Sequence, residues 1–166
     1  MDEKAALDRL VVEHLPAALR FAVRLTGDAD EAEDLVQDAL VRVTRGWAAF
    51  RGEANFRTWL FRIVVNAFRD RLRRPRMEIL DKDVDDLRGA GPAQAALQRE
   101  LGELVAQNVS RLPPRQREVL VLTMYEQLPA REVATVLGIS EANVYSSLHQ
   151  ARARLRKELA EYLEEQ

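Results

Sequence analysis

The sequence predicts an all-α fold made of two small helical domains. Three observations predict it. No stretch alternates apolar and polar residues with a period of two, helical stripes recur through most of the chain, and between residues 77 and 93 the chain turns acidic and carries Gly89, Gly91 and Pro92. The expected division is a first domain over 1–76, a flexible acidic linker over 77–93, and a second domain over 94–166.

The elements follow in order. Leu10 to Leu25 reads as a helix ended near Gly27. In the next helix, Ala32, Leu35, Val36, Ala39, Leu40, Val43 and Trp47 form one apolar stripe. Phe50-Arg51-Gly52-Glu53 breaks that rhythm and reads as a loop. Phe56, Trp59, Leu60, Ile63, Val64 and Ala67 restore it in a third helix, which Pro75 stops. In the second domain a helix starts near Gln94 and runs through Val109. A break follows at Leu112-Pro113-Pro114, then a helix from Arg115 to Tyr125, then a second break at Pro129. Ala130 to Arg156 closes the pattern as a short helix, a turn carrying Gly138, and a longer helix. Val133, Ala134 and Leu137 share one face of the short helix, and Val144, Leu148, Ala151 and Leu155 share one face of the long one. Facing small and branched stripes joined by a glycine turn describe a helix-turn-helix, the unit that lays its second helix in the major groove.

Composition removes several classes of function. With no cysteine in the chain, disulfides and thiolate metal sites are excluded, and His14 and His149 stand far apart, so no metal site is expected. Asp30, Glu31, Asp34 and Asp38 lack the spacing of a calcium loop. No apolar run approaches the roughly 20 residues that cross a bilayer. The charged start MDEKAALDRL is unlike a secretory signal, so a cytoplasmic location is expected, without membrane insertion. Phosphate-loop, nucleophile-elbow and zinc-protease motifs are absent, so no catalytic residue, cofactor or small-molecule substrate is expected.

The net charge of −2 hides a sharp contrast. Arg51 to Arg76 holds eight arginines against Glu53 and Asp70, while Asp28 to Asp38 holds six acids and no base. Local fields of that kind steer partners. Arg62, Asn66, Arg69 and Arg73 fall at steps of four, three and four, with Phe61, Val65, Phe68 and Leu72 beside them. Arginines for phosphates, an amide for a base edge and nearby aromatics suit single-stranded or melted DNA. A solvated face of an amphipathic helix would carry similar residues. Trp47, Phe56 and Trp59 are expected to fill the core; Phe50, beyond the end of its stripe, is the better candidate for stacking on an unpaired base. Asp34, Gln37, Asp38 and Val41 project opposite the apolar stripe of their helix, as a protein-binding face or a plain solvated one.

In the last helix Ser140 is placed to cap the N-terminus. Asn143, Tyr145, Ser146, His149 and Gln150 are the groove-facing candidates, because Asn and Gln can pair with adenine and Ser with several bases. Arg152, Arg154, Arg156 and Lys157 would reach phosphates or serve the helix dipole.

Taken in order, LTGDADEAEDLVQDALVRV, FRGEANFRTWLFRIVVNAFRDRLRR and LPPRQREVLVLTMYEQLPAREVATVLGISEANVYSSLHQARARLRKEL resemble the extracytoplasmic-function (ECF) sigma factors of bacterial RNA polymerase. The resemblance covers residues 10–76 and 96–160. It implies a dissociable specificity subunit that binds core RNA polymerase and promoter DNA. Its first domain would grip the polymerase clamp and capture the melted −10 element; its second would read the −35 element as duplex. By that likeness Asp34, Gln37 and Asp38 fall at the clamp contact. Phe50 and Asn66 fall where a flipped −10 base is held, with Phe61, Arg62, Arg69 and Arg73 alongside. Asn143, Tyr145, Ser146, His149, Gln150 and Arg152 fall in the −35 reader. Members commonly carry basic residues where this chain has Tyr145, Ser147 and Gln150, so weak binding to isolated duplex is expected. Many members are held inactive by an anti-sigma factor, which makes such a partner a further expectation.

Unstacking DNA costs about 1.4 kcal/mol per step. One aromatic pocket and a few arginines offset only a few steps. The isolated chain is therefore expected not to open a promoter, and to need polymerase as the scaffold that adds its two weak affinities together. The rival readings are a stand-alone helix-turn-helix repressor or activator, which would need a dimer surface, and a helical adaptor that binds only proteins.

Overall fold

The computed structural model describes residues 3–74 and 93–164, and every regular element in them is helical. The linker expected over 77–93 lies outside the described residues, apart from Ala93, which opens a helix.

Helix α1 spans Glu3–Thr26, seven residues earlier than the stripe from Leu10 suggests. It runs through Pro16, which has no N–H to give to the preceding turn. Such a residue in a helix interior costs about 3 kcal/mol. Burial on both sides offsets that cost, with Leu7 before it and Ala18, Phe21, Ala22 and Leu25 after it. Gly27 ends the helix at φ +75°, its N–H donating to the Val23 carbonyl at 2.8 Å. A Cβ there would stand 2.9 Å from the Cβ of Ser110, so glycine serves both the left-handed turn and the close approach of another helix.

Helix α2 spans Ala29–Gly46 and starts under an Asp28 cap that accepts from the Glu31 N–H at 2.8 Å. A three-residue 3₁₀ turn, Trp47–Ala49, leads into the expected loop. Helix α3, Phe56–Arg73, starts at Asn55, whose side chain accepts from the Thr58 N–H at 2.9 Å. The buried sector of α3 is wide, taking in Phe56, Leu60, Phe61, Val64, Val65, Ala67 and Phe68. It is wide because α1 and α2 cover one side of the helix and the second half of the chain covers another.

That second half starts with α4, Ala93–Arg111. Pro114 opens α5, Pro114–Leu120, at a position where its missing N–H costs nothing. The single helix expected to Tyr125 instead widens into a π turn over Val121–Tyr125, closed by the Glu126 N–H on the Val121 carbonyl at 3.1 Å. Gln127 then takes φ +55°. Helix α6, Ala130–Leu137, is capped by Gly138 at φ +66°, and α7 runs Glu141–Glu164.

The two halves pack directly on one another. Helix α3 lies against α6, and α1 lies against α4 and α5. Their buried apolar side chains form one continuous cluster. Arg117 of α5 donates to the carbonyls of Leu25, at the end of α1, and of Leu112.

Candidate nucleic-acid interface

Helix α3 presents the basic stripe unevenly. Arg62, Asn66 and Arg73 are exposed, and Arg73 stands 3.6 Å from Asp70 one turn away. Arg69 is drawn aside. Its guanidinium meets Glu118 of α5 as a fork, Nε to Oε1 at 3.0 Å and Nη2 to Oε2 at 2.8 Å. Those hydrogen bonds with Glu118 hold the Arg69 cation more firmly protonated than an ordinary arginine; burial opposes this, and the carboxylate charge adds to it.

Phe61 does not belong to the interface that the sequence suggests for it. Its ring is fully enclosed, 4.7 Å from that of Phe21 and beneath the Arg57 guanidinium at 5.1 Å. It supports α3 from within the core and has no open face for DNA in this arrangement.

The aromatic loop forms a shelf. Phe50 is half-buried, stacked on Trp47 at 5.5 Å between ring centroids, 4.7 Å from Trp59 and edge-on to Phe56 at 6.1 Å. Phe56 is core, as expected, whereas Trp47 and Trp59 keep part of their rings at the surface. Trp59 precedes Arg62 by three residues and Asn66 by seven, so it heads the same helical row. It also fits the apolar stripe, which points to the core; its spacing to Arg62 and Asn66 is the signal for the surface row.

On α2, Asp34 and Gln37 are exposed, while Asp38 is half-buried and accepts from Arg71 Nη2 at 2.7 Å. One turn along, Arg42 donates to Asp70 at 2.7 Å. The two pairs run in opposite senses between α2 and α3, which fixes the acidic face of one helix relative to the basic helix beside it.

The helix-turn-helix is built as its spacing suggests. Gly138 supplies the left-handed cap, with Ile139 N–H on the Ala134 carbonyl at 3.1 Å. Ser140 Oγ accepts from the Asn143 N–H at 3.1 Å. Val144, Leu148 and Ala151 are buried, and Asn143, Tyr145, Ser146, His149 and Gln150 are exposed. The Gln150 amide oxygen accepts from Gln116 at 3.2 Å, and Arg152 reaches Met124 Sδ at 3.0 Å.

A set of charges between the halves has no counterpart among the residues that the sequence singles out. Glu126, at the end of the π turn, takes Arg57 at 2.8 Å and Arg24 at 3.6 Å. Thr58 donates to Glu132 of α6 at 3.3 Å. Partners this distant in the chain leave no local periodic signature. No helix among the described residues is long and apolar enough to cross a membrane. No group of three or more metal-ligating side chains occurs among them.

Residues 10–77 match the family description Sigma-70 region 2, and residues 103–155 match Sigma-70, region 4. The RNA polymerase sigma-H factor of Pseudomonas aeruginosa is 31% identical over 98% of this chain and 91% of its own length. The ECF RNA polymerase sigma factor SigW of Bacillus subtilis is 31% identical over 84% of this chain and 81% of its own. This chain belongs to the ECF sigma factors.

Like the rest of its family, this sigma factor directs promoter-specific transcription, with core RNA polymerase and promoter DNA as its partners. That identity disfavours a stand-alone helix-turn-helix repressor or activator. Among solved structures, CnrH in complex with the cytosolic domain of CnrY is 32% identical with a TM-score of 0.68, over 95% of this chain and 89% of that one. RpoE of Bartonella quintana, in complex with the anti-sigma factor NepR, shares the fold at a TM-score of 0.72 and 24% identity, over 92% of this chain and 96% of that one.

Proposed function

We propose that this sigma factor divides promoter reading between its two halves. Helix α7 reads the −35 duplex through Asn143, Tyr145, Ser146, His149 and Gln150, with Arg152 toward the phosphates. The α3 row of Arg62 and Asn66, flanked by Arg73 and joined by Arg69, captures the melted −10 strand, and an unstacked base lies on Phe50 and Trp59. Asp34, Gln37 and Asp38 meet the polymerase clamp. The chain acts as two functional units, 1–76 and 94–166, in the cytoplasm and without catalysis of its own.

One observation carries the −10 assignment: an exposed amide and an exposed arginine stand in one helical row with partly open aromatic rings. Stacking on such rings contributes about 1–3 kcal/mol per base, and arginines supply the sequence-independent attraction to the backbone. A cleft of about 1120 Å³ between α1 and α4, lined by Val23, Leu101, Val105 and Tyr125, supports an anti-sigma partner, since several of these apolar side chains stand open.

The test is transcription by core polymerase carrying Asn66→Ala or Phe50→Ala. Initiation should fall while core affinity stays near that of the parent. Loss of core affinity in both variants would mark these residues as structural instead.

A further inference from the structure

Met124 places an exposed sulfur beside a cation. The chain contains three methionines and no cysteine, and Met1 and Met77 lie outside the described residues. Without a thiol to react first, a two-electron oxidant meets the thioethers. Met124 is open to such a reagent. The π turn over Val121–Tyr125 buries Val121 and Leu122 and leaves Met124 48% exposed within the same apolar run. From α7 the Arg152 Nη2 donates to Met124 Sδ at 3.0 Å. Arg152 is itself exposed, and among the described residues it forms no ion pair with a carboxylate. A thioether is a weak acceptor, so this contact leaves the guanidinium free to exchange the sulfur for a phosphate.

We propose that Met124 is a site of reversible oxidation by hydrogen peroxide, and that its sulfoxide takes Arg152 away from the −35 phosphates. This rests on the reading of Arg152 as a phosphate contact. In the step, a sulfur lone pair attacks one peroxide oxygen. The S–O bond forms as the O–O bond breaks, and the thioether loses two electrons to the peroxide. The departing hydroxide takes the proton left on the transferred oxygen, so the products are the sulfoxide and one water. Methionine sulfoxide reductases reverse the change. The new oxygen is a far better acceptor than the sulfur, and rotation of the flexible methionine side chain brings it to the guanidinium beside it. A hydrogen bond from a charged donor of this kind is short and about twice as strong as a neutral one. Arg152 is then held on the π turn and one phosphate contact is lost. Asn143, Ser146 and His149 stay exposed, so duplex affinity falls while base reading is retained.

The full chain is treated with dilute hydrogen peroxide, and the oxidised positions are read by peptide mass. Met124 should gain one oxygen and lose it again to the reductases. Affinity is measured for a fluorescent mixed-sequence duplex, since a phosphate contact ignores sequence. Oxidation should weaken binding about eightfold at about 0.1 M salt and flatten the dependence of log affinity on log salt by about 1, the effect of one lost phosphate contact. Arg152→Ala should show the same loss and none further on oxidation. Met124→Leu should bind as the reduced parent does and ignore peroxide, which separates Met124 from Met1, Met77 and the tryptophans. Met124→Gln offers Arg152 an amide oxygen without any oxidant and should weaken binding likewise; it carries the test if circular dichroism shows that the oxidised chain has lost its fold. The Arg152 Nε–H resonance, identified by its loss in Arg152→Ala, should move on oxidation. Met124 left intact while Met77 is oxidised would overturn the site. Sulfoxide at Met124 in a folded chain, with the parent's affinity and an unmoved Arg152 resonance, would overturn the capture of Arg152. A moved resonance with unchanged affinity, and Arg152→Ala binding like the parent, would uphold the sulfoxide contact and overturn the assignment of Arg152 to phosphates.

Discussion

Arg71 donates to Asp38 at 2.7 Å from α3 to α2, one turn from the reverse pairing of Arg42 with Asp70, also at 2.7 Å. The residue proposed to meet polymerase is therefore held by the helix proposed to meet DNA. Asp38 and Arg71 are both partly exposed, so their pairing adds about 1 kcal/mol or less to stability. Asp38→Asn should leave the melting temperature within a few degrees of the parent and weaken core binding. Asp38→Arg, which places a second cation beside Arg71, should weaken it further. Unaltered core affinity in the arginine variant would remove Asp38 from the clamp contact.

Gly138 sits at φ +66° with open space where a Cβ would stand, so a substitution there tests backbone strain alone. Gly138→Ala should cost about 1–2 kcal/mol in unfolding, and Gly138→Asn less, because asparagine tolerates the left-handed region. Equal losses by chemical denaturation would show that the turn does not need that conformation.

The Ser140 hydroxyl satisfies the Asn143 N–H at the start of α7. Ser140→Ala should destabilise the chain by about 1 kcal/mol. Leu148→Ala empties a buried site between α7 and its neighbours and should cost about 2–5 kcal/mol. The ordering of these two losses, read from denaturant melts, separates cap from core.

Gln150 is exposed on α7 at a position where basic residues are expected in relatives. Gln150→Arg should tighten binding to isolated duplex and steepen the dependence of log affinity on log salt by about 1. A tighter complex with an unchanged salt slope would mean that the new side chain contacts a base rather than a phosphate.

The helices and the helix-turn-helix were legible because their signals are local. Val144, Leu148 and Ala151 repeat at helical spacing, and Ser140 and Gly138 occupy positions that only a cap or a turn explains. The exposed faces of α2 and α7 were legible for the same reason. The burial of Phe61 is not legible, because a stripe of four polar residues says nothing about how far the buried sector extends around α3, and its ring is enclosed against Phe21 of α1, distant in the chain. Arg69 and Glu118 are 49 residues apart, and Arg57 and Glu126 are 69 apart, so only the tertiary contact between the halves brings them together. The π turn was hidden because Val121 to Tyr125 has the same apolar rhythm as an α-helix. Trp59 served two patterns at once, and the stronger apolar stripe obscured its place at the head of the row with Arg62 and Asn66.

The most direct measurement is initiation by this sigma factor with core polymerase on a pool of randomised promoters, with the productive sequences read out. Two separated blocks of preferred bases should emerge: the upstream block relaxed by Asn143→Ala and His149→Ala, the downstream block relaxed by Phe50→Ala and Asn66→Ala. A single block, or one whose preferences ignore both pairs of variants, would contradict the division of promoter reading between α7 and α3.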